Sequence, residues 1–144
     1  MRFHLIDKVD AYEPSTWIKA RKLTSVSETF WEDGVMPPSL VLEALCQAGT
    51  WLVMISTERQ KRAALLSIAD VEFLRDVVPG DVLLMHGTVD TMGDEVAVVS
   101  GEVTVDGEPV LRATEIMCAL IAAEDLADLE DTKRLQDMLT RGLT

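Results

Sequence analysis

Glu43 and Gln47 are the residues around which a chemical function can be built. They stand one helical turn apart within residues 40–55 (LVLEALCQAGTWLVMI), where Thr50 is the only other break in an apolar surface. A helix without a polar stripe is expected to be covered on every side. A carboxylate in such surroundings is costly unless it is hydrogen-bonded or used. Glu43 is therefore either a structural carboxylate pinned by Gln47 and backbone groups, or a working acid or base.

Few other residues offer chemistry. His4 and His86 are the only histidines, and both fall in segments that read as strands, where most histidines are structural or exposed. Cys46 and Cys118 lie inside apolar runs and read as small core residues; with two histidines and two cysteines there is no zinc-type spacing. Glu32 and Asp33 precede a glycine in a loop and read as solvated acids, with a carboxylate base as the sharper alternative.

The 144 residues suit one domain with a sizeable core, and 48% hydrophobic with 26% charged residues is an ordinary globular balance. A net charge of −12 disfavours nucleic acid and anionic membrane as partners. The opening MRFHLIDKVDAYE lacks an apolar core of signal-peptide length, and 40–55 is shorter than a usual membrane span, so a soluble cytoplasmic protein is expected.

The elements that must position Glu43 follow from periodicity and turn residues. A short strand is expected over 2–10, a turn at Glu13-Pro14-Ser15, and a half-exposed strand over 16–26. Residues 28–38 form a loop whose two prolines open the apolar helix. Residues 63–73 read as a mostly buried strand, followed by strands over 82–90, 95–105 and 109–122, with Asp106-Gly107 as a hairpin signal. Gly87 and Gly101 suggest places where the sheet bends around something close. Residues 123–141 carry leucines at helical spacing, with acids before bases, and predict a C-terminal helix. Such an α+β chain is best satisfied by a curved antiparallel sheet wrapped around one long buried helix. Residues 1–122 then form the domain, and 123–144 a helical tail packed on it.

Three stretches carry a family resemblance: FHLIDKV at 3–9, VMPPSLVLEALCQ at 35–47, and VEFLRDVVPGD at 71–81 running on to VTVDGEPVLRATEIMCAL. In this order and spacing the chain resembles the β-hydroxyacyl-acyl carrier protein dehydratases, hydro-lyases of fatty acid synthesis with the hot-dog fold. The resemblance implies an acyl carrier protein or coenzyme A thioester as partner, no cofactor, and an obligatory dimer. It also implies chemistry by a loop histidine, a helix carboxylate and a backbone N–H at the helix start. Glu43 matches the carboxylate and Gln47 its companion. The histidine has no counterpart, because the loop runs Phe30-Trp31-Glu32-Asp33-Gly34-Val35, and Pro38 replaces the glycine whose N–H would bind the thioester oxygen.

The resemblance further implies an acyl site near Met36, Pro38, Gln47 and Trp51, with Leu52 and Met54 as further candidate tunnel walls and Trp51 bulky enough to shorten a tunnel. Arg59, Lys61 and Arg62, with Lys19, Arg21 and Lys22, are the basic clusters on an acidic chain, and the first three would suit docking of an acidic carrier. Three functions stay open. One is dehydration with Glu43 as the surviving acid and a base supplied elsewhere, for example by a histidine-bearing hot-dog partner. The second is thioester hydrolysis through Glu43. The third is a non-catalytic subunit of a mixed dimer.

Overall fold

The computed structural model describes residues 4–122 and 129–143. Strands β1 (Lys8–Glu13) and β2 (Trp17–Leu23) lead into helix α1 (Pro38–Ser56), followed by β3 (Lys61–Phe73), β4 (Val82–Met92), β5 (Val96–Val105), β6 (Glu108–Ala122) and helix α2 (Leu129–Leu139). All pairings are antiparallel, and the strands lie in the order β1-β2-β4-β5-β6-β3. One sheet curves around α1, the expected hot-dog arrangement.

α1 starts where the prolines dictate, with Pro37 as N-cap and Pro38 opening the first turn. Its end is equally defined. Glu58 and Arg59 adopt φ of 52° and 67°, and the Arg59 N–H turns back to the Met54 carbonyl at 2.6 Å. Thr57 links helix to strand, since its hydroxyl donates to the Val53 carbonyl at 2.9 Å and accepts the Lys61 N–H at 3.1 Å. At 19 residues α1 is long and apolar enough to cross a membrane by composition; half of its most apolar window is buried inside the fold.

The close approach expected at the strand glycines is present. A Cβ on Gly101 would lie 2.6 Å from the His86 carbonyl oxygen and 2.9 Å from Leu45 Cδ1. Gly101 pairs with Gly87 on β4, so the sheet is thinnest where α1 presses on it.

Three expectations need correction. First, α1 is not covered all round by one chain. Val41, Ala44, Leu45 and Ala48 face the sheet, and all of Trp51–Ile55 is buried, but over the first turns Ser39 and Glu43 are exposed and Leu42, Cys46, Gln47 and Thr50 half-buried. These residues form one stripe at i, i+3, i+4 and i+7, and a single open sheet covers only the opposite side.

Second, β3 is mostly exposed. Among the described residues it is an edge strand hydrogen-bonded only to β6, and Leu65, Leu66 and Phe73 are 55%, 58% and 53% exposed. Third, the opening strand starts at Lys8, and Leu5 and Ile6 enter the core ahead of it, outside the ladder. Two consecutive buried residues do not fit a period of two.

α2 buries Leu139 against the main core, with Leu135 and Leu143 packed beside it. The expected helix over 123–141 thus appears as Leu129–Leu139; residues 123–128 lie outside the described residues.

Candidate active site

The open stripe of α1 holds the chemistry. Gln47 joins three parts of it: its Oε1 accepts the Leu5 N–H at 2.7 Å, and its Nε2 donates to Glu43 Oε1 at 3.1 Å. The Leu5 donor fixes which end of the amide faces which neighbour, so an N–H must point at the carboxylate. Leu5 is buried, which anchors the chain segment that sets this orientation. Among the described residues, the second carboxylate oxygen of Glu43 accepts no hydrogen bond.

One turn before Glu43, on the same stripe, stands Ser39, which the sequence reading passed over. Four first-turn N–H groups of a helix lack intrahelical partners. Pro38 has none to offer, and the Leu40 and Val41 N–H groups reach the Pro37 carbonyl at 2.9 and 3.3 Å. Among the described residues, no side chain caps this end. Ser39 is therefore the first residue of the helix that presents an N–H, with a hydroxyl beside it. The signal was in the sequence: Ser39, Glu43 and Gln47 are spaced by four.

Beyond Glu43 the stripe becomes apolar. Cys46, Gly49, Thr50 and Val53 of α1 face Ala63 and Leu65 of β3, Val99 of β5, and Ile116 and Cys118 of β6 across a narrow cleft of about 40 Å³. Burial, the Glu43 carboxylate and Cys118 push the Cys46 thiol from 9.0 up to about 12, and burial raises Cys118 as well. Both are protonated, weakly nucleophilic thiols, in keeping with a packing role. Glu43 itself does not line this cleft; it stands one helical turn before Cys46, which does.

The other candidates are distributed as follows. Met36 is buried, with its N–H on the Val77 carbonyl at 2.9 Å; with Pro38, Val41, Phe73 and Leu74 it lines a second cleft of about 340 Å³ at the helix start. Trp51 is 6% exposed and packs in the main core, as does Leu52; neither lines the cleft beyond Glu43. Arg59 and Lys61 border a polar cleft of about 510 Å³ with Glu58, Glu130 and Lys133, and Arg62 lies on β3 opposite Ile121.

The other basic group is engaged within the fold. Arg21 pairs with Asp10 at 2.9 Å, and buried Lys22 reaches Glu28 at 2.8 Å and Asp7 at 3.6 Å, tying the loop before α1 to the sheet. Asp33 at φ 52° and Gly34 at φ 76° form an exposed two-residue turn, closed by reciprocal hydrogen bonds between the flanking Glu32 and Val35. His86 is on β4 with its ring edge-on to Trp17, centroids 6.4 Å apart. His4 is exposed and directly precedes Leu5, whose N–H holds Gln47.

Residues 1–114 match the family model described as a FabA-like domain. A Pasteurella multocida 3-hydroxyacyl-[acyl-carrier-protein] dehydratase FabZ is 38% identical over 127 residues, covering 81% of each chain. The Xanthomonas euvesicatoria protein of the same name is 35% identical, covering 81% of this chain and 82% of its own. Among solved structures, smu.793 from Streptococcus mutans, bound to acetyl CoA, superposes with a TM-score of 0.69 at 20% identity, over 85% of this chain and 94% of that one. The thioesterase HI1161 from Haemophilus influenzae gives 0.66 at 16% identity, over 83% and 81%.

Proposed function

This chain belongs to the FabA/FabZ family of hot-dog proteins, and from that premise we propose that it hydrolyses acyl thioesters with Glu43 as the general base. The observation that carries this reading is the Gln47-oriented carboxylate one helical turn before Cys46, which lines an apolar cleft, in a chain whose loop has a tight Asp-Gly turn where dehydratases of the family keep a histidine. Hydrolysis needs one base and a donor for the carbonyl oxygen. Glu43 takes a proton from water as the water oxygen attacks the thioester carbon. The negative charge that develops on the carbonyl oxygen is met by the Ser39 N–H and hydroxyl at the positive end of α1. The C–S bond then breaks, and Glu43 returns its proton to the departing thiolate.

A second copy covers the site in this reading. β3 presents thirteen residues with one unpaired edge and exposed leucines, a template for pairing with another chain. Pairing of two β3 edges places partner residues over the open stripe of α1 and removes Glu43 from bulk water. In this reading coenzyme A or a carrier protein is the thiol component, and Arg59 and Lys61 would attract its acidic groups.

One observation favours a second reading, dehydration of 3-hydroxyacyl thioesters. His4 adjoins the residue that holds Gln47, so it is a histidine next to the site even though the loop has none. The test is to incubate the purified chain with plain acyl and 3-hydroxyacyl thioesters, following free thiol and the conjugated double bond separately. Thiol release that falls 10²- to 10⁴-fold in Glu43→Gln supports hydrolysis. Enoyl formation that requires His4 would replace hydrolysis with dehydration. Turnover unaffected by Glu43→Gln would end both.

A further inference from the structure

Where the open stripe of α1 ends is as informative as where it begins. Ser39, Glu43, Cys46 and Thr50 follow one line along the helix, and Val53 is next on it. Unlike them, Val53 is fully buried, packed with Ala97 of β5 and Leu120 of β6, and with Ala63 and Met92 against that cluster. The groove leading away from the carboxylate is thus stopped less than three turns on, by side chains from α1 and two strands. What remains is a cleft of about 40 Å³, walled by Cys46, Thr50, Leu65, Ile116 and Cys118 and floored by Val53. A protein cavity that takes up benzene, with its six carbons, measures about 150 Å³. The space here is about a quarter of that, enough for roughly two carbons.

We infer that this protein is selective for short acyl groups of two to four carbons, and that Val53 sets the limit. The inference rests on the acyl-thioester reading above and narrows its substrate class. With the thioester carbon beside Glu43 and Ser39, the carbonyl carbon and the carbon next to it stay outside the cleft, and the last two carbons of a butyryl group fill it. A longer chain has to leave toward solvent or displace the Val53–Ala97–Leu120 contact. Each methylene that fits strengthens binding about fourfold, and methylenes that do not fit add nothing.

The test measures binding apart from turnover. Glu43→Gln protein is titrated with acetyl-, butyryl-, hexanoyl-, octanoyl- and dodecanoyl-coenzyme A, and unmodified protein is assayed for thiol release on the same series. Affinity is expected to climb about fourfold per methylene from acetyl to butyryl and then level or fall. Val53→Ala is expected to carry the climb on to hexanoyl. If that variant does not fold, Ile116→Val, which removes one methyl from the wall, is expected to raise hexanoyl affinity two- to fourfold.

Tightening that continues to octanoyl in the unmodified pocket overturns the inference. So does an unchanged profile in the enlarged variants, or no binding of any acyl-coenzyme A. A short-chain binding profile without thiol release would instead refute the hydrolysis reading and leave the size limit standing.

Discussion

Gly49 tests the cleft from both sides of its energetics. It lies in the interior of α1, where glycine is about 1 kcal/mol less favourable than alanine. A Cβ there would meet Val99 Cγ1 at 3.8 Å, an ordinary van der Waals distance, with no backbone atom nearby. Gly49→Ala is therefore expected to stabilise the fold by about 1 kcal/mol, raising Tm by about 3–4 °C for a chain of this size.

The same methyl enters a cleft of only about 40 Å³ between α1 and Val99. It displaces about one substrate methylene, so butyryl affinity should fall about fourfold while acetyl affinity holds. Urea or thermal unfolding at fixed protein concentration, which matters if the chain dimerises, reads the first number. Titration with the two coenzyme A thioesters reads the second. Destabilisation would mean that helix and sheet lie closer than 3.8 Å implies, refuting the packing argument. A gain in stability with unchanged butyryl affinity would mean that the acyl chain runs elsewhere.

Other substitutions probe other parts of the argument. Gly101→Ala sets a Cβ 2.6 Å from a backbone oxygen, so β4 and β5 must part; a loss of about 3 kcal/mol or more in urea unfolding is expected, against about 1 kcal/mol or less for Gly87→Ala, whose nearest contact is 3.4 Å from a side-chain methyl. Lys22→Met leaves Glu28 and Asp7 without their shared cation and should cost about 2 kcal/mol with turnover unchanged, measured by unfolding and thiol-release assays together. The Cys46 thiol, pushed up to about 12 by burial first and Glu43 second, keeps its proton in the folded chain while the unfolded chain loses it near pH 9. The unfolded state then binds fewer protons, so stability should fall as pH rises from about 9 toward 12. Melting curves of Cys46→Ala should show a shallower alkaline decline.

The pairing of Glu43 with Gln47 was legible because it is local: four residues apart on a helix means one face. The prolines before α1, the Asp106-Gly107 turn and the close approach at Gly101 were legible for the same reason, since each is a demand on a few consecutive residues. What escaped was non-local. An apolar helix announces that it needs cover, and not whether its own sheet or a second chain provides it; that is why Glu43 was expected to be enclosed and is found on an open stripe. Residues 63–73 are rich enough in alanine and leucine to suggest a central strand, and nothing in them tells that β3 ends up at the edge. Lys22 reads as a surface cation until the fold brings Glu28 and Asp7 to it. Ser39 and Val53, at the two ends of the line of residues along α1, were visible as letters at helical spacing, yet only the surrounding strands give one a free face and the other a buried one.

The strand order also bears on how this chain comes into being at the ribosome. β3 is made early but pairs only with β6, whose last residue follows Phe73 by roughly fifty positions. At cellular synthesis rates that interval is about 2–10 s, during which Leu65 and Leu66 have no ladder to join. The nascent protein therefore cannot close co-translationally from its front end, and folding awaits delivery of the final hairpin. The leucine-bearing edge is the stretch a holdase would grip in the meantime, and truncation before β6 begins at Glu108 would leave it permanently unclaimed.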